Sequence, residues 1–310
     1  MSIPTPDEFE AARLALFHEQ GFAGRSRRLV DASGRTTYAI ERPGDGPPRV
    51  LVHGGLADAS VWYRMAGQLS GHVVVVDRPG CGLSDPVDYT GVDYRKAAAD
   101  WLLSVADGLG APALDVIGNS MGGYFSIAFA LAHPKRVRHL VLAGAPAGLD
   151  RPLPLFLRLA GTPLAHLLLA FDVKDPETMR ARILADMLAG PERISVRAIE
   201  VALSNAHRPA SKLAVRTMLA NVTDLGGWRR ELMLREPIRA LDVPTLFLWG
   251  AKDNFAPVAS GQELATAMPR ARVELVEDAG HLPQIDQPEV LAAHVERFLA
   301  DAAGQLTAAA

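Results

Sequence analysis

Ser120, Asp253 and His281 lie far apart in a 310-residue chain, yet their types suit one reaction. A serine hydroxyl is a weak nucleophile at neutral pH and needs a base to take its proton. That base, commonly histidine, needs a carboxylate to fix its tautomer and orientation. Ser120 sits in Gly118-Asn119-Ser120-Met121-Gly122-Gly123, after the apolar run Leu114-Asp115-Val116-Ile117 and before the Ala/Phe/Ile/Leu stretch Tyr124 to Ala132. Strand, G-x-S-x-G and helix in that order predict a strained turn that pushes the serine hydroxyl outward, with small residues letting neighbouring backbone pass. A Gly-Ser-Gly stretch is also an ordinary turn, so the remaining chain decides.

Asp253 follows the apolar run Thr245 to Trp249, and His281 follows Arg272 to Val276. Each is thus expected just beyond a strand end. Taken singly, Asp253 could cap a helix beginning near Pro257, and His281 could be a surface or satisfied loop histidine. Their joint placement with Ser120 points to a triad. Acyl transfer also needs donors for a developing oxyanion. The backbone N–H of Met121, directly after the serine, is one by position. Gly55, with Leu56 as the second choice, offers the other from the loop after Val50-Leu51-Val52. The other histidines lack a comparable context, and His53 is expected to organise its own loop. No His/Asp/Glu cluster has metal-ligand spacing, so neither a metal nor another cofactor is expected.

The elements that would position these groups follow the chain in order. Pro6 to Gln20, bounded by Thr5 and Gly21, predicts a capped lead-in helix. Arg27 to Asp31 and Thr36 to Glu41, joined through Ser33-Gly34, predict a hairpin. Val73-Val74-Val75-Val76 reads as a strand buried on both faces, as in a parallel sheet, and Tyr94 to Leu109 as a helix. After the strand His139 to Ala143, strands stop for about a hundred residues, because Ala147 to Leu241 is rich in Leu, Ala, Arg and Met at helical spacing. The sheet resumes at Thr245 and Arg272, Pro288 to Ala300 closes as a helix, and Asp301 to Ala310 reads as a frayed tail. The expected architecture is α/β: a mostly parallel sheet with helices on both faces and one helical insertion. Core segments 1–146 and 242–310 flank a helical cap at 147–241. In such sheets ligands bind beyond the carboxyl ends of the strands, where every loop named above falls.

Composition narrows the function. With 32 basic and 35 acidic residues and a net charge of −3, the chain offers no field for nucleic acid. Cys81 is the single cysteine, so no internal disulfide forms, and the first ten residues lack a secretory pattern; a cytoplasmic location is expected. Leu153 to Phe171 is apolar, but Pro154, Arg158, Gly161, Pro163 and His166 argue against a membrane span and for one or two short helices facing a pocket. Leu153, Leu155, Phe156, Leu157, Leu164, Leu167, Leu168 and Phe171 suit an acyl chain or aryl ring, or simply pack the cap onto the core. The expected partner is a small-molecule substrate; oligomeric state is not readable.

The ordered landmarks His53-Gly54-Gly55, Asp77-Arg78-Pro79-Gly80-Cys81-Gly82-Leu83-Ser84-Asp85, Gly118 to Gly123, Trp249 to Asp253 and Gly280-His281 resemble the α/β-hydrolase fold superfamily over roughly residues 25 to 300. The resemblance implies about eight strands with a cap after the sixth, and the triad order Ser120, Asp253, His281. Cys81 falls at a variable position of the family loop and reads as packing. Serine at the elbow argues against the haloalkane dehalogenase and epoxide hydrolase branches, which use aspartate there. Hydrolysis of a carboxylic ester is the leading expectation. The elbow is also similar to that of the meta-cleavage-product hydrolases, which cleave a carbon-carbon bond in dienoic diketo acids. There Arg197 would hold a substrate carboxylate, although a cap arginine is more often solvated. Leu282, where those enzymes usually carry an aromatic residue, and Gly55-Leu56-Ala57-Asp58, where they carry Gly-Pro-Gly, depart from that pattern. A non-catalytic binding protein of the same fold is the third alternative.

Overall fold

The computed structural model describes residues 3–153, 155–160, 162 and 175–308. The lead-in helix Pro6–Glu19 starts on a reciprocal cap: Thr5 Oγ1 accepts from Glu8 N–H while the Glu8 carboxylate accepts from Thr5 N–H. It buries Phe9, Leu16 and Phe17 against the core. Strands β1 (Arg25–Val30) and β2 (Thr36–Arg42) form the expected hairpin, turning at Gly34 with positive φ.

The sheet continues through β3 (Arg49–Val52), β4 (Val73–Val76), β5 (Leu114–Asn119) and β6 (Val137–Ala143). A two-residue pair, β7 (Thr223–Asp224) with β8 (Gly227–Trp228), lies outside it. The sheet then resumes with β9 (Thr245–Gly250) and β10 (Ala271–Val276). The eight strands run in the order β1-β2-β4-β3-β5-β6-β9-β10. β1 with β2 and β2 with β4 pair antiparallel, and every later neighbour is parallel. All four residues of β4 are buried, as the unbroken valine run requires of a strand covered on both faces.

One apolar layer packs Trp101, Leu102 and Val105 of helix Tyr94–Gly108 with Phe125 and Phe129 of helix Met121–Ala132. On the opposite face Phe17, Trp62, Ile285, Leu291 and Val295 form a second layer. Six parallel strands therefore present their carboxyl ends together, and β3, β4, β5, β9 and β10 each lead into a loop singled out by sequence.

Three local differences have clear causes. The elbow helix begins at Met121, immediately after Ser120, because the turn consumes only one residue. The insertion between β6 and β9 is helical, with Leu155–Ala160, Val196–His207 and Pro209–Val222 among its helices, yet it also holds the β7–β8 pair. A two-residue pair leaves no alternation to read in a sequence. The segment 301–308, expected to fray, continues the closing helix Pro288–Ala308, consistent with its alanine content. Leu164, Leu167, Leu168 and Phe171 lie outside the described residues. No helix among the described residues is long and apolar enough to cross a membrane.

Candidate active site

Ser120 has φ 52° and ψ −114°, one of two non-glycine residues with positive φ among the described residues. A serine held in this strained region projects its side chain out of the strand-to-helix turn. The flanking glycines are required by contact. A Cβ on Gly122 would stand 2.1 Å from Val52 O, and one on Gly118 would stand 2.5 Å from Ser126 Oγ. The elbow therefore touches the loop after β3 directly. Met121 opens its helix, so its N–H has no intrahelical acceptor and remains available to an oxyanion.

Asp253 follows β9 and His281 follows β10. His281 Nδ1 lies 3.1 Å from both Asp253 carboxylate oxygens. The same carboxylate accepts N–H bonds from Ala145 at 2.8 Å and Phe255 at 2.9 Å. Burial opposes ionisation of Asp253, but the imidazole and the two backbone donors outweigh it and hold its pKa below the ordinary value. An ionised carboxylate on Nδ1 favours a proton there and leaves Nε2 to act as base. His281 Nε2 is buried and makes no hydrogen bond among the described residues. Catalytic hydrogen bonds often tighten only when substrate is bound. The Phe255 ring stacks on the imidazole at 4.0 Å between centroids, fixing its plane. Asp253 does not cap the helix Val258–Ala267, whose N-cap is Pro257.

Two further groups hold this half of the site. Asn119 Nδ2 donates to Ala143 O at 2.7 Å and His281 O at 3.0 Å, joining the elbow to the histidine loop. Asp286 accepts from Gly280 N–H at 2.8 Å and, from the insertion, Ala189 N–H at 2.9 Å and Gly190 N–H at 3.1 Å. His281 N–H itself donates to Met187 O at 2.7 Å. The histidine loop is thereby bonded to the insertion.

The loop after β3 brings Gly54 and Gly55 close to the elbow, with Leu56 next in the chain. A Cβ on Gly54 would stand 3.4 Å from Ser120 Cβ, and one on Gly55 would stand 3.8 Å from Met121 Cβ and 3.6 Å from Met218 Cε. Gly55 is half-buried and Leu56 is 38% exposed. His53 is fully buried; its Nε2 accepts the Arg78 N–H at 2.9 Å and its Nδ1 lies 2.8 Å from Gly54 O. Burial, reinforced by the Arg78 charge, pushes the His53 pKa well down, so a neutral ring suits this bonding.

Other sequence-selected residues lie elsewhere in role. Leu282 is buried in the apolar layer that includes Leu184 and Leu188 of the insertion. Arg197 is a surface residue: its guanidinium pairs with Glu19 of the lead-in helix, and both side chains are about half exposed. This placement favours the solvated alternative for Arg197 over a carboxylate-binding one. Cys81 is buried, and burial pushes its thiol up to about 11, which removes it as a nucleophile at neutral pH. Among the described residues no group of three His, Cys, Asp or Glu side chains could hold a metal ion. A cavity of about 600 Å³ lined by Thr90, Tyr94, Arg95, Asn221, Arg229 and Glu231 does not include the triad residues.

Asn119, Arg78 and Asp286 carry no role in the sequence reading. Asn119 stands inside the elbow and Arg78 inside the quoted Asp77-to-Asp85 loop, but their partners are carbonyls of distant segments: the loop after β3 for Arg78, the end of β6 and the histidine loop for Asn119. Asp286 follows His281 by five residues, a spacing that marks no known chemistry without the fold.

The sequence profile of the alpha/beta hydrolase family matches residues 50–294. A 2-hydroxymuconate semialdehyde hydrolase of Pseudomonas putida is 29% identical, covering 89% of this chain and 94% of its own. A 2-hydroxy-6-oxononadienedioate/2-hydroxy-6-oxononatrienedioate hydrolase of Klebsiella pneumoniae is also 29% identical, covering 92% of this chain and 99% of its own. Among solved structures, a carboxylesterase of Bacillus subtilis superposes with a TM-score of 0.74 at 20% identity, covering 95% of this chain and 98% of that one. Two reactions are thus represented around one architecture. With strand order, elbow and profile in agreement, the chain belongs to the alpha/beta hydrolase family.

Proposed function

We propose that the protein is a serine hydrolase that cleaves a carboxylic ester of a small apolar or aryl substrate through an acyl-enzyme on Ser120. The observation that carries this reading is the buried pair Asp253–His281, with Nε2 unbonded, at the same sheet end as a serine held at φ 52°. In the first half-reaction Ser120 Oγ bonds to the ester carbonyl carbon as His281 Nε2 takes its proton. The carbonyl electron pair moves onto oxygen, facing the N–H groups of Met121 and of Gly55 or Leu56. As the tetrahedral intermediate collapses, the C–O bond to the alcohol breaks and His281 protonates the leaving oxygen. Water then repeats the sequence, giving its proton to His281, releasing the acid and restoring Ser120. Residues 147–241 act as a cap over the core of 1–146 and 242–310.

A second reading, hydrolysis of a carbon-carbon bond in a diketo acid, draws on the names of the relatives from Pseudomonas putida and Klebsiella pneumoniae. Against it stands the pairing of Arg197, the arginine that would hold that substrate's carboxylate, with Glu19 at the surface.

The test is a p-nitrophenyl ester series of increasing acyl length, assayed with wild type and Ser120→Ala. Wild-type turnover should fall at least about 10³-fold in the variant, with acyl preference sizing the pocket. A folded wild type that hydrolyses none of the series but consumes a dienoic diketo acid would replace the ester reading by the second.

A further inference from the structure

Arg78 is a buried cation without a carboxylate. It is 1% exposed, and among the described residues it forms no ion pair. The neighbouring Asp77 is committed elsewhere: its oxygens bind the Arg13 guanidinium at 2.7 and 2.8 Å and accept N–H bonds from Ala59 and Leu83. Arginine stays protonated in proteins, and a buried charge with no counter-ion is costly unless dense hydrogen bonding offsets it. Apart from Nη2 lying 3.9 Å from Cys81 Sγ, Arg78 finds that bonding on the loop after β3. Its Nε donates to His53 O at 3.1 Å, and its Nη2 donates to Gly54 O at 2.8 Å and Gly55 O at 3.2 Å. Its guanidinium also lies 5.3 Å from the centre of the Phe125 ring, which supplies the apolar wall behind it.

Peptide geometry turns this grip into a statement about the oxyanion donors. In a trans peptide the C=O of one residue and the N–H of the next point in opposite directions. Holding Gly54 O and Gly55 O on the guanidinium therefore aims the N–H groups of Gly55 and Leu56 away from Arg78. The elbow lies close to the same loop: a Cβ built on Gly54 would stand 3.4 Å from Ser120 Cβ, and one on Gly55 would stand 3.8 Å from Met121 Cβ. A cation on the carbonyl end also polarises each peptide unit and strengthens its N–H as a donor. Building on the serine-hydrolase reading, we propose that Arg78 is the positioning residue of the oxyanion hole, turning the Gly55 and Leu56 amides toward the reacting carbonyl and lending them its charge. It does not touch the substrate.

The test compares wild type with Arg78→Gln and Arg78→Lys on a p-nitrophenyl ester and on an alkyl trifluoromethyl ketone. In the ketone adduct Ser120 Oγ bonds to the carbonyl carbon, the carbonyl pair becomes an oxyanion, and His281 keeps the hydroxyl proton. The matching methyl ketone, which forms no stable adduct, reports ground-state binding. For Arg78→Gln, kcat should fall roughly 30- to 100-fold with KM within about threefold, up to the low end of the about 10²- to 10³-fold cost of a lost oxyanion donor, because the donors are misaimed rather than removed. Trifluoromethyl ketone affinity should fall in parallel while methyl ketone affinity stays. Arg78→Lys keeps the charge but lacks the fork that spans two carbonyls, so it should lie between.

Unchanged kcat and trifluoromethyl ketone affinity in both variants would overturn the proposal. So would equal losses for both ketones, which would mark a general collapse of the loop. If Arg78→Gln does not fold, the lysine variant decides through the same kcat-against-KM split. A wild type that binds the trifluoromethyl ketone tightly but turns over no ester would sink the ester reading and still test Arg78. A wild type that does neither would end both.

Discussion

The two halves of the site are built differently. The half proposed to move protons is held by uncharged donors: Ala145 and Phe255 N–H on Asp253, Asn119 on His281 O, and His281 N–H on Met187 O. The half that would receive negative charge is held by buried cations. Arg78 grips the loop after β3, and Arg13 of the lead-in helix binds Asp77 and lies 3.5 Å from Asp58. The first half is tied to the insertion and the second to the N-terminus. A base must gain positive charge during turnover, so a fixed cation beside it would oppose that step, whereas the ionised Asp253 carboxylate favours it. An oxyanion donor keeps its protonation throughout, and permanent positive charge behind it only helps.

The largest effect should come from breaking the proton-moving half at its carboxylate. Asp253→Asn keeps the size of the side chain but gives His281 Nδ1 a neutral partner that can select the wrong tautomer. Ester turnover should fall by roughly 10³- to 10⁴-fold with the fold intact, as for the same change in a serine-protease triad. Activity and a thermal melt measured together check this. Retention of turnover within tenfold would mean that another group orients His281.

The charged half should instead fail through stability. Arg13 is fully buried, and Asp77 and Asp58 are buried beside it. Burial works against the Arg13 charge, but the two carboxylates more than offset it and keep the guanidinium ionised. Arg13→Ala would leave those carboxylates without their cation. The loss of one partner of such a buried pair costs about 3–5 kcal/mol. Urea unfolding of both proteins reads the difference directly; a change under about 1 kcal/mol would show that water reaches the cluster and compensates.

This division also explains what could be read from the chain. Ser120, Asp253 and His281 were legible because each follows an apolar or β-branched run and precedes turn residues, and a parallel sheet gathers such loops at one end. Those cues are local. Arg78 acts on carbonyls 23 to 25 positions away, Asn119 on carbonyls 24 and 162 positions away, and Asp286 reaches back to Ala189 across 97 positions. No periodicity encodes such partners. The β7–β8 pair was illegible for a different reason, each strand being only a single period of alternation long. At Arg197 the sequence left two readings open. A cationic residue in a cap invites a functional role, but the lead-in helix supplies Glu19 within reach, and the side chain settles at the surface.

The smallest expected effect therefore lies at Arg197, and it sharpens the contrast between surface and buried charge. Its side chain is 45% exposed and that of Glu19 is 50% exposed. Exposed pairs of this kind contribute about 0–1 kcal/mol, because solvent screens the attraction and two long side chains lose freedom. Arg197→Ala should leave stability within about 0.5 kcal/mol of wild type and kcat/KM on a neutral ester within about twofold. The same variant assayed on a dienoic diketo acid is the more searching measurement. A guanidinium that binds a substrate carboxylate contributes a charge-assisted, often bidentate bond, and its removal would raise KM well beyond tenfold. Such a loss, confined to the acidic substrate, would mean that Arg197 leaves Glu19 when substrate binds and would restore the carbon-carbon reading. Equal, near-wild-type behaviour on both substrates would confine functional charge in this molecule to the buried arginines.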